Sequence, residues 1–191
     1  MIRAVVFDCF GVLTTDTWKL FVASQPPNVN VSGLRDLNHQ LDAGLIDTET
    51  FLKEVYDLTG SQPIQVEKLL NNEIAKNTQL LDYIKELRKA NFKIGMLSNI
   101  STNWIRDDFL NPEEQALFDE MVFSYEVGMT KPDPRIFSIV CERLGKDPSE
   151  VVMIDDVLSY CAGAESIGMS AIQYIDYAQC KAELDILINH E

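Results

Sequence analysis

Five short, almost wholly apolar runs rich in β-branched residues constrain this chain most: Ile2–Phe7, Lys93–Leu97, Met121–Phe123, Val151–Ile154 and Ser170–Tyr174. Successive side chains on a strand point to opposite faces, so a run without polar alternation reads as a strand covered on both, as in a parallel sheet. Helical patterns fill the gaps, over Gln79–Ala90, Pro132–Leu144, Leu158–Ile167 and Ala178–Ile188. Buried strands alternating with helices make right-handed βαβ units. The expected fold is α/β, a doubly wound parallel sheet.

One segment breaks the alternation. From about Thr15 to Asn77 no buried strand is legible, and four helical patterns stand instead at Thr17–Ala23, Val31–Asp42, Thr48–Thr59 and Ile64–Glu73. Pro26-Pro27, Gly44 and Gly60-Ser61 separate them; Asp47-Thr48-Glu49 is a helix-start signal, and Gly60 suits a C-terminal cap. The domain expectation is a core of residues 1–14 and 78–191 with a helical insertion at 15–77.

Composition narrows the function classes. Hydrophobic residues make up 46% of 191 residues, enough for the core of one domain with a modest insertion. A net charge of −14 without any Lys/Arg cluster argues against a nucleic-acid partner. Four cysteines, Cys9, Cys141, Cys161 and Cys180, lack ligand spacing and read as buried thiols of a reducing compartment. The N-terminal apolar run is broken by Asp8, unlike a signal peptide, and no stretch approaches the roughly 20 apolar residues of a membrane helix. A cytoplasmic protein with no membrane partner is expected.

Ligands of open parallel sheets bind beyond the carboxyl ends of the strands, and four such ends here carry polar groups. Asp8, in VVFDCFGVL, follows the first run, and Gly11 lets its loop approach a ligand; the bland alternative is an Asp capping a turn. Ser98 and Asn99, ending KIGMLSN, offer donors to an anion or merely cap the next helix. Lys131, in EVGMTKPDPRIF, offers an ammonium to a phosphate or carboxylate, or to solvent, and Pro132 and Pro134 would start a helix just beyond it. Asp155 and Asp156, in VVMIDDVLSYCAGAESIGM, are adjacent carboxylates that repel unless a cation lies near; oxygen-only ligation suits Mg²⁺, and the alternative is an exposed acidic turn. Four bland readings in this order are less plausible together than singly.

These strings resemble the motifs of the haloacid-dehalogenase-like hydrolases, in the branch with a helical cap inserted after the first motif. FDCFGVL, MLSN, GMTKPDPRIF and VMIDDVLSYCAGAESIGM match motifs I to IV, and LDAGLIDTETFLKEV is similar to the cap of small sugar-phosphatase-like members. The resemblance spans essentially the whole chain. It implies a Rossmann-like core, Asp8 as a nucleophile forming a covalent aspartyl intermediate, and Mg²⁺ held by Asp8, Asp156 and the carbonyl of Phe10, with Asp155 close by. Ser98, Asn99 and Lys131 would hold the phosphoryl group of a small phosphorylated metabolite; the oligomeric expectation is monomer or homodimer.

The pattern departs from the family at Phe10, where its phosphatases carry a second Asp that protonates the leaving alkoxide and then activates water. Such help is typically worth about 10² to 10⁴-fold. Three readings follow. A phosphatase would use a substrate with a good leaving group, or an acid from elsewhere, with Glu49, Glu54 and Glu126 as possible donors. A dehalogenase, whose relatives carry Tyr at this position, expels halide without a proton but does not share the metal pair. A non-catalytic protein would bind a phosphorylated ligand or a partner protein. Ser159-Tyr160 also stands where many relatives have Asn-Asp. Cys9 beside the nucleophile reads as a packed residue, His39 and His190 lack ligand partners, and Trp18 and Trp104 suit either the cleft or the core.

Overall fold

The strand that comes first in the chain lies at the centre of the sheet. In this computed structural model, which describes residues 1–70 and 75–189, β1 (Ala4–Phe7) pairs in parallel with β2 (Lys93–Ser98) and with β4 (Val151–Asp155). β3 (Glu120–Phe123) and β5 (Ser170–Gln173) complete the five-stranded order β3-β2-β1-β4-β5, all parallel. The chain therefore winds outward in one direction and then in the other, and the reversal falls between β1 and β4. A crevice opens at such a point because the two connections leave on opposite faces.

Alternation along the strands explains the two cores. Val5 and Phe7 face α5 (Thr78–Lys89) and α10 (Tyr177–Asn189), packing with Ile84, Leu87 and Leu184. Ala4 and Val6 face α8 (Pro134–Leu144) and α9 (Leu158–Glu165), packing with Phe137, Val140 and Ala164. Each fully buried Leu, Ile or Phe contributes about 1.5–3 kcal/mol, which is why the apolar runs dominate the fold.

Between β1 and α5 lie α1 (Thr17–Ala23), α2 (Val31–Asp42), α3 (Thr48–Thr59) and α4 (Pro63–Leu70), with their own buried cluster around Leu34, Phe51, Val55 and Val66. Asp47 accepts from the Thr50 amide at 2.8 Å, and Gly60 ends α3 with φ 73°, as their residue types demand. Both ends of the segment meet at one point: Thr14 bridges Lys76, and the Asn77 amide donates to the Leu13 carbonyl at 2.8 Å. The last residues of the expected helix Ile64–Glu73, and His190, lie outside the described residues.

Several boundaries differ from the sequence expectation. α8 starts at Pro134 rather than Pro132, because Asp133 precedes a proline and is held out of the helical region; it caps the helix instead, accepting from the Arg135 amide. β2 and β4 extend to Ser98 and Asp155, since ladder pairing with Phe123 and Gln173 continues past the apolar runs. The π-helical turn Ile105–Phe109 and the short helices α6 (Pro112–Gln115) and α7 (Ser124–Val127) had too few residues to show a period.

Candidate active site

Asp8 leaves the sheet at the carboxyl end of β1, its amide still donating to the Ile154 carbonyl of β4 at 2.9 Å. The loop then turns back sharply, with the Cys9 carbonyl accepting from Leu13 and Thr14 at 2.8 and 3.0 Å. Asn77, which also caps α5, donates to the Val12 carbonyl at 3.0 Å and so ties this turn to the core. Asp8 is 4% exposed, and its Oδ1 accepts from the Cys9 amide at 2.7 Å.

The wholly buried Lys131 ammonium lies 2.8 Å from Asp8 Oδ1 and 2.6 Å from Asp155 Oδ2. Asn99 clamps the lysine backbone from both sides: the Lys131 amide donates to Asn99 Oδ1 at 2.8 Å, and Asn99 Nδ2 donates to the Lys131 carbonyl at 3.1 Å. Asp155 Oδ1 accepts from the Val157 amide at 2.9 Å, which orients that carboxylate inward. Carboxylate oxygens of Asp8, Asp155 and Asp156 all lie within 4.8 Å of one another.

Three carboxylates around one buried ammonium leave the floor short of positive charge. Burial, with Asp155 and Asp156 adding to it, pushes the Asp8 carboxyl up against the pull of Lys131. Burial alone would lower the lysine, yet Asp155 and Asp8 more than offset it and hold it above the ordinary range. Asp156 meets Lys19 of α1, whose side chain is 60% exposed and whose ammonium reaches it at 2.6 Å.

Gly11 is required by both backbone and space. Its φ is +85°, and a Cβ there would sit 2.5 Å from Asp156 Cγ. Gly11→Ala is expected to destabilise the protein by about 1–3 kcal/mol, from the left-handed backbone and the forced shift of Asp156. Urea denaturation of both proteins measures this; an unchanged midpoint would show that the loop is not held against Asp156.

A cavity of about 270 Å³ lies above this floor, walled by the core on one side and by α1–α4 on the other. Asp8, Phe10, Asn99, Lys131 and Asp156 reach it. Ser98 does not: it is fully buried beside Asn99, and its hydroxyl has no hydrogen-bond partner among the described residues. Trp18 and Trp104 both line the cavity; Trp104 stacks on Phe10 with ring centroids 6.0 Å apart, making an apolar wall in the cavity that Asp8 reaches.

Other expectations resolve by position. Glu49, Glu54 and Glu126 are not among the lining residues, and Glu126 pairs with Arg106 instead. Asp16, Asp42 and Lys19 were missed, because no local pattern reports that helices distant in sequence will face the strand ends. All four cysteines are buried and free, and burial raises the Cys9 thiol well above its ordinary range, which disfavours a thiolate. His39 Nδ1 lies 3.2 Å from Thr130 Oγ1.

Comparison with known proteins agrees with this fold. The family model of haloacid dehalogenase-like hydrolases matches residues 2–168. The chain belongs to that family. The chain is also similar to D-ribitol-5-phosphate phosphatase of Bacteroides thetaiotaomicron, 26% identical over 208 residues, covering 99% of this chain and 100% of that protein. A HAD-like family hydrolase from Porphyromonas gingivalis superposes with a TM-score of 0.73 at 25% identity, covering 100% of both chains. A HAD family enzyme from B. thetaiotaomicron, solved in complex with magnesium and inorganic phosphate, gives a TM-score of 0.69 at 24% identity, covering 94% of this chain and 99% of that one. No helix of the described residues is long and apolar enough to cross a membrane.

Proposed function

We propose that this HAD-family hydrolase is a magnesium-dependent phosphatase of a small phosphorylated metabolite, working through an aspartyl-phosphate on Asp8 from beneath a cap formed by residues 15–77. One observation carries the reading: a carboxylate at the cavity floor is paired to a buried lysine and grouped with two more carboxylates. The curated relative named as a phosphatase supports it.

The residues present fit Mg²⁺. Its ligand distances of about 2.1 Å allow opposed oxygens about 4.2 Å apart, so the observed spacing needs only small adjustments. Asp8 and Asp156 would hold the ion, with the Phe10 carbonyl, and Asp155 would support them. When bound, the ion supplies positive charge that offsets the phosphoryl oxygens and the surplus carboxylates.

This chain's own residues do the rest. Lys131, fixed by Asn99, orients Asp8 and offsets the negative charge of the transferred group, the main demand of phosphoryl transfer. The hydroxyl of Ser98 is buried, unpartnered among the described residues and outside the cavity lining, so it would serve the phosphoryl group only by turning past Asn99 into the cavity. Phe10 and Trp104 limit water beside Asp8, but the phenyl ring cannot move a proton.

The test is a phosphate-release screen over phosphorylated metabolites and acyl phosphates, with and without Mg²⁺. Release should depend on Mg²⁺, and Asp156→Asn should reduce both release and calorimetrically measured Mg²⁺ binding to background. Lys19 should then lose its ionic partner as well. A second reading, hydrolytic dehalogenation, draws on the aromatic Phe10–Trp104 wall, because halide leaves without a proton. Halide release undiminished by EDTA would favour it. Neither phosphate nor halide release from a folded sample would favour the binding protein.

A further inference from the structure

Asp42, the last residue of α2, is a carboxylate that neither the floor nor the fold of the insertion uses. It is 8% exposed and lines the same cavity as Asp8, from the wall that the helices provide. Asn38, one turn earlier on the same helix, donates to Asp42 Oδ2 at 2.8 Å, and Oδ1 accepts no hydrogen bond among the described residues. Its main chain is held by the core: the Ser124 hydroxyl lies 2.7 Å from the Asp42 carbonyl, and the His39–Thr130 contact ties the same helical turn to the residue before Lys131.

We propose that Asp42 is the general acid that protonates the leaving oxygen, and the base that then activates water, filling the role that Phe10 cannot. The inference rests on the phosphatase reading. Asp8 sits at the floor and Asp42 on the wall that the insertion's helices give the same cavity. An in-line displacement expels its leaving oxygen on the side away from the nucleophile, toward the part of the cavity the insertion covers. Two other acids on that wall fit less well. Asp16 caps α1 by accepting from the Lys19 amide, and that same lysine pairs with Asp156 at the floor, whereas the Asp42 backbone is anchored to Ser124 of the core. Glu67 is half-buried on α4 with no hydrogen bond or ion pair among the described residues.

Its surroundings suit proton transfer near neutrality. Burial, assisted by Asp16 and opposed by Asn38 and Lys131, pushes the Asp42 carboxyl up to about 7. An acid with a pKa close to the working pH both holds and releases its proton readily.

The chemistry balances. As Asp8 bonds to phosphorus, the bond from phosphorus to the alkoxy oxygen breaks, and that oxygen keeps the electron pair and takes the Asp42 proton. The alcohol leaves, with Asp8 phosphorylated and Asp42 ionised. Asp42 then takes a proton from water as the water oxygen bonds to phosphorus and the bond to Asp8 breaks, returning both carboxyl groups to their starting states and releasing inorganic phosphate.

The test compares an alkyl phosphate with p-nitrophenyl phosphate, whose leaving group needs no proton, in wild type, Asp42→Asn, Asp42→Glu and Asp8→Asn, all with Mg²⁺. Asp42→Asn should lower alkyl turnover by about 10² to 10⁴-fold. With p-nitrophenyl phosphate it should instead give a burst of nitrophenol of about one equivalent per protein, followed by slow release, because transfer proceeds while breakdown lacks its base. Asp42→Glu should recover part of the alkyl rate. An unchanged alkyl rate in Asp42→Asn overturns the proposal, as does an equal loss on both substrates with no burst and no recovery by Glu. A wild type that hydrolyses neither ester, indistinguishable from Asp8→Asn, overturns the phosphatase reading itself.

Discussion

Asp8→Asn is expected to lower phosphate release by at least about 10⁴-fold and to abolish any covalent phosphate adduct. An amide keeps the shape of the carboxylate and its hydrogen bond from the Cys9 amide, but it is a far weaker nucleophile. Losses of nucleophile in covalent enzymes reach about 10⁶-fold, because the other groups act only through it. Asp8 is the carboxylate on the floor that both meets the wholly buried Lys131 ammonium and reaches the cavity, whereas Asp156 meets the exposed Lys19. Intact-protein mass spectrometry after brief incubation with acetyl phosphate and Mg²⁺ should show one added phosphate on wild type and none on Asp8→Asn. The same adduct on both proteins would place the covalent chemistry elsewhere.

Lys131→Met should destabilise the fold by about 3–5 kcal/mol, as expected when one partner of a buried ionic cluster is removed and the remaining charges stay buried. The methionine fills much of the lysine stem's space, so the loss reports charge rather than packing. Asp8 and Asp155 are both raised by burial, so between the unfolded and folded pKa values the native state binds more protons than the unfolded state. Their contribution to stability is therefore present at low pH and lost as pH rises. Without Lys131 both carboxylates rise further, and the deficit should be larger at pH 8 than at pH 5. Urea denaturation of both proteins at the two pH values checks this. A pH-independent deficit below about 1 kcal/mol would mean that water reaches the cluster and screens it.

Much of the fold and part of the site were legible because they are local. A short unbroken apolar run rich in β-branched residues reads as a strand covered on both faces, and the polar residue that ends it then emerges at the sheet's carboxyl edge. Asp8, Lys131, Asp155 and Asp156 could thus be read from their positions behind such runs or before a proline-bounded helix. Ser98 and Asn99 were read by the same logic, but their individual tasks were not. Whether an amide grips a ligand or a neighbouring lysine backbone depends on where Lys131 lies, 32 residues further on.

Tertiary structure alone decided what stands opposite the floor. The sequence determined that the insertion would carry helices, through periodicity and caps such as Asp47 and Gly60. Helical periodicity says which side chains share a face and nothing about which body that face meets. Glu49, Glu54 and Asp42 were equivalent acids on that basis. Contacts between segments separated them: Ser124 holds the Asp42 backbone across 82 residues, while Glu49 and Glu54 turn elsewhere. The orientation of the insertion is a long-range packing outcome, and with it came the placement of Asp42, Lys19 and Trp18 around Asp8.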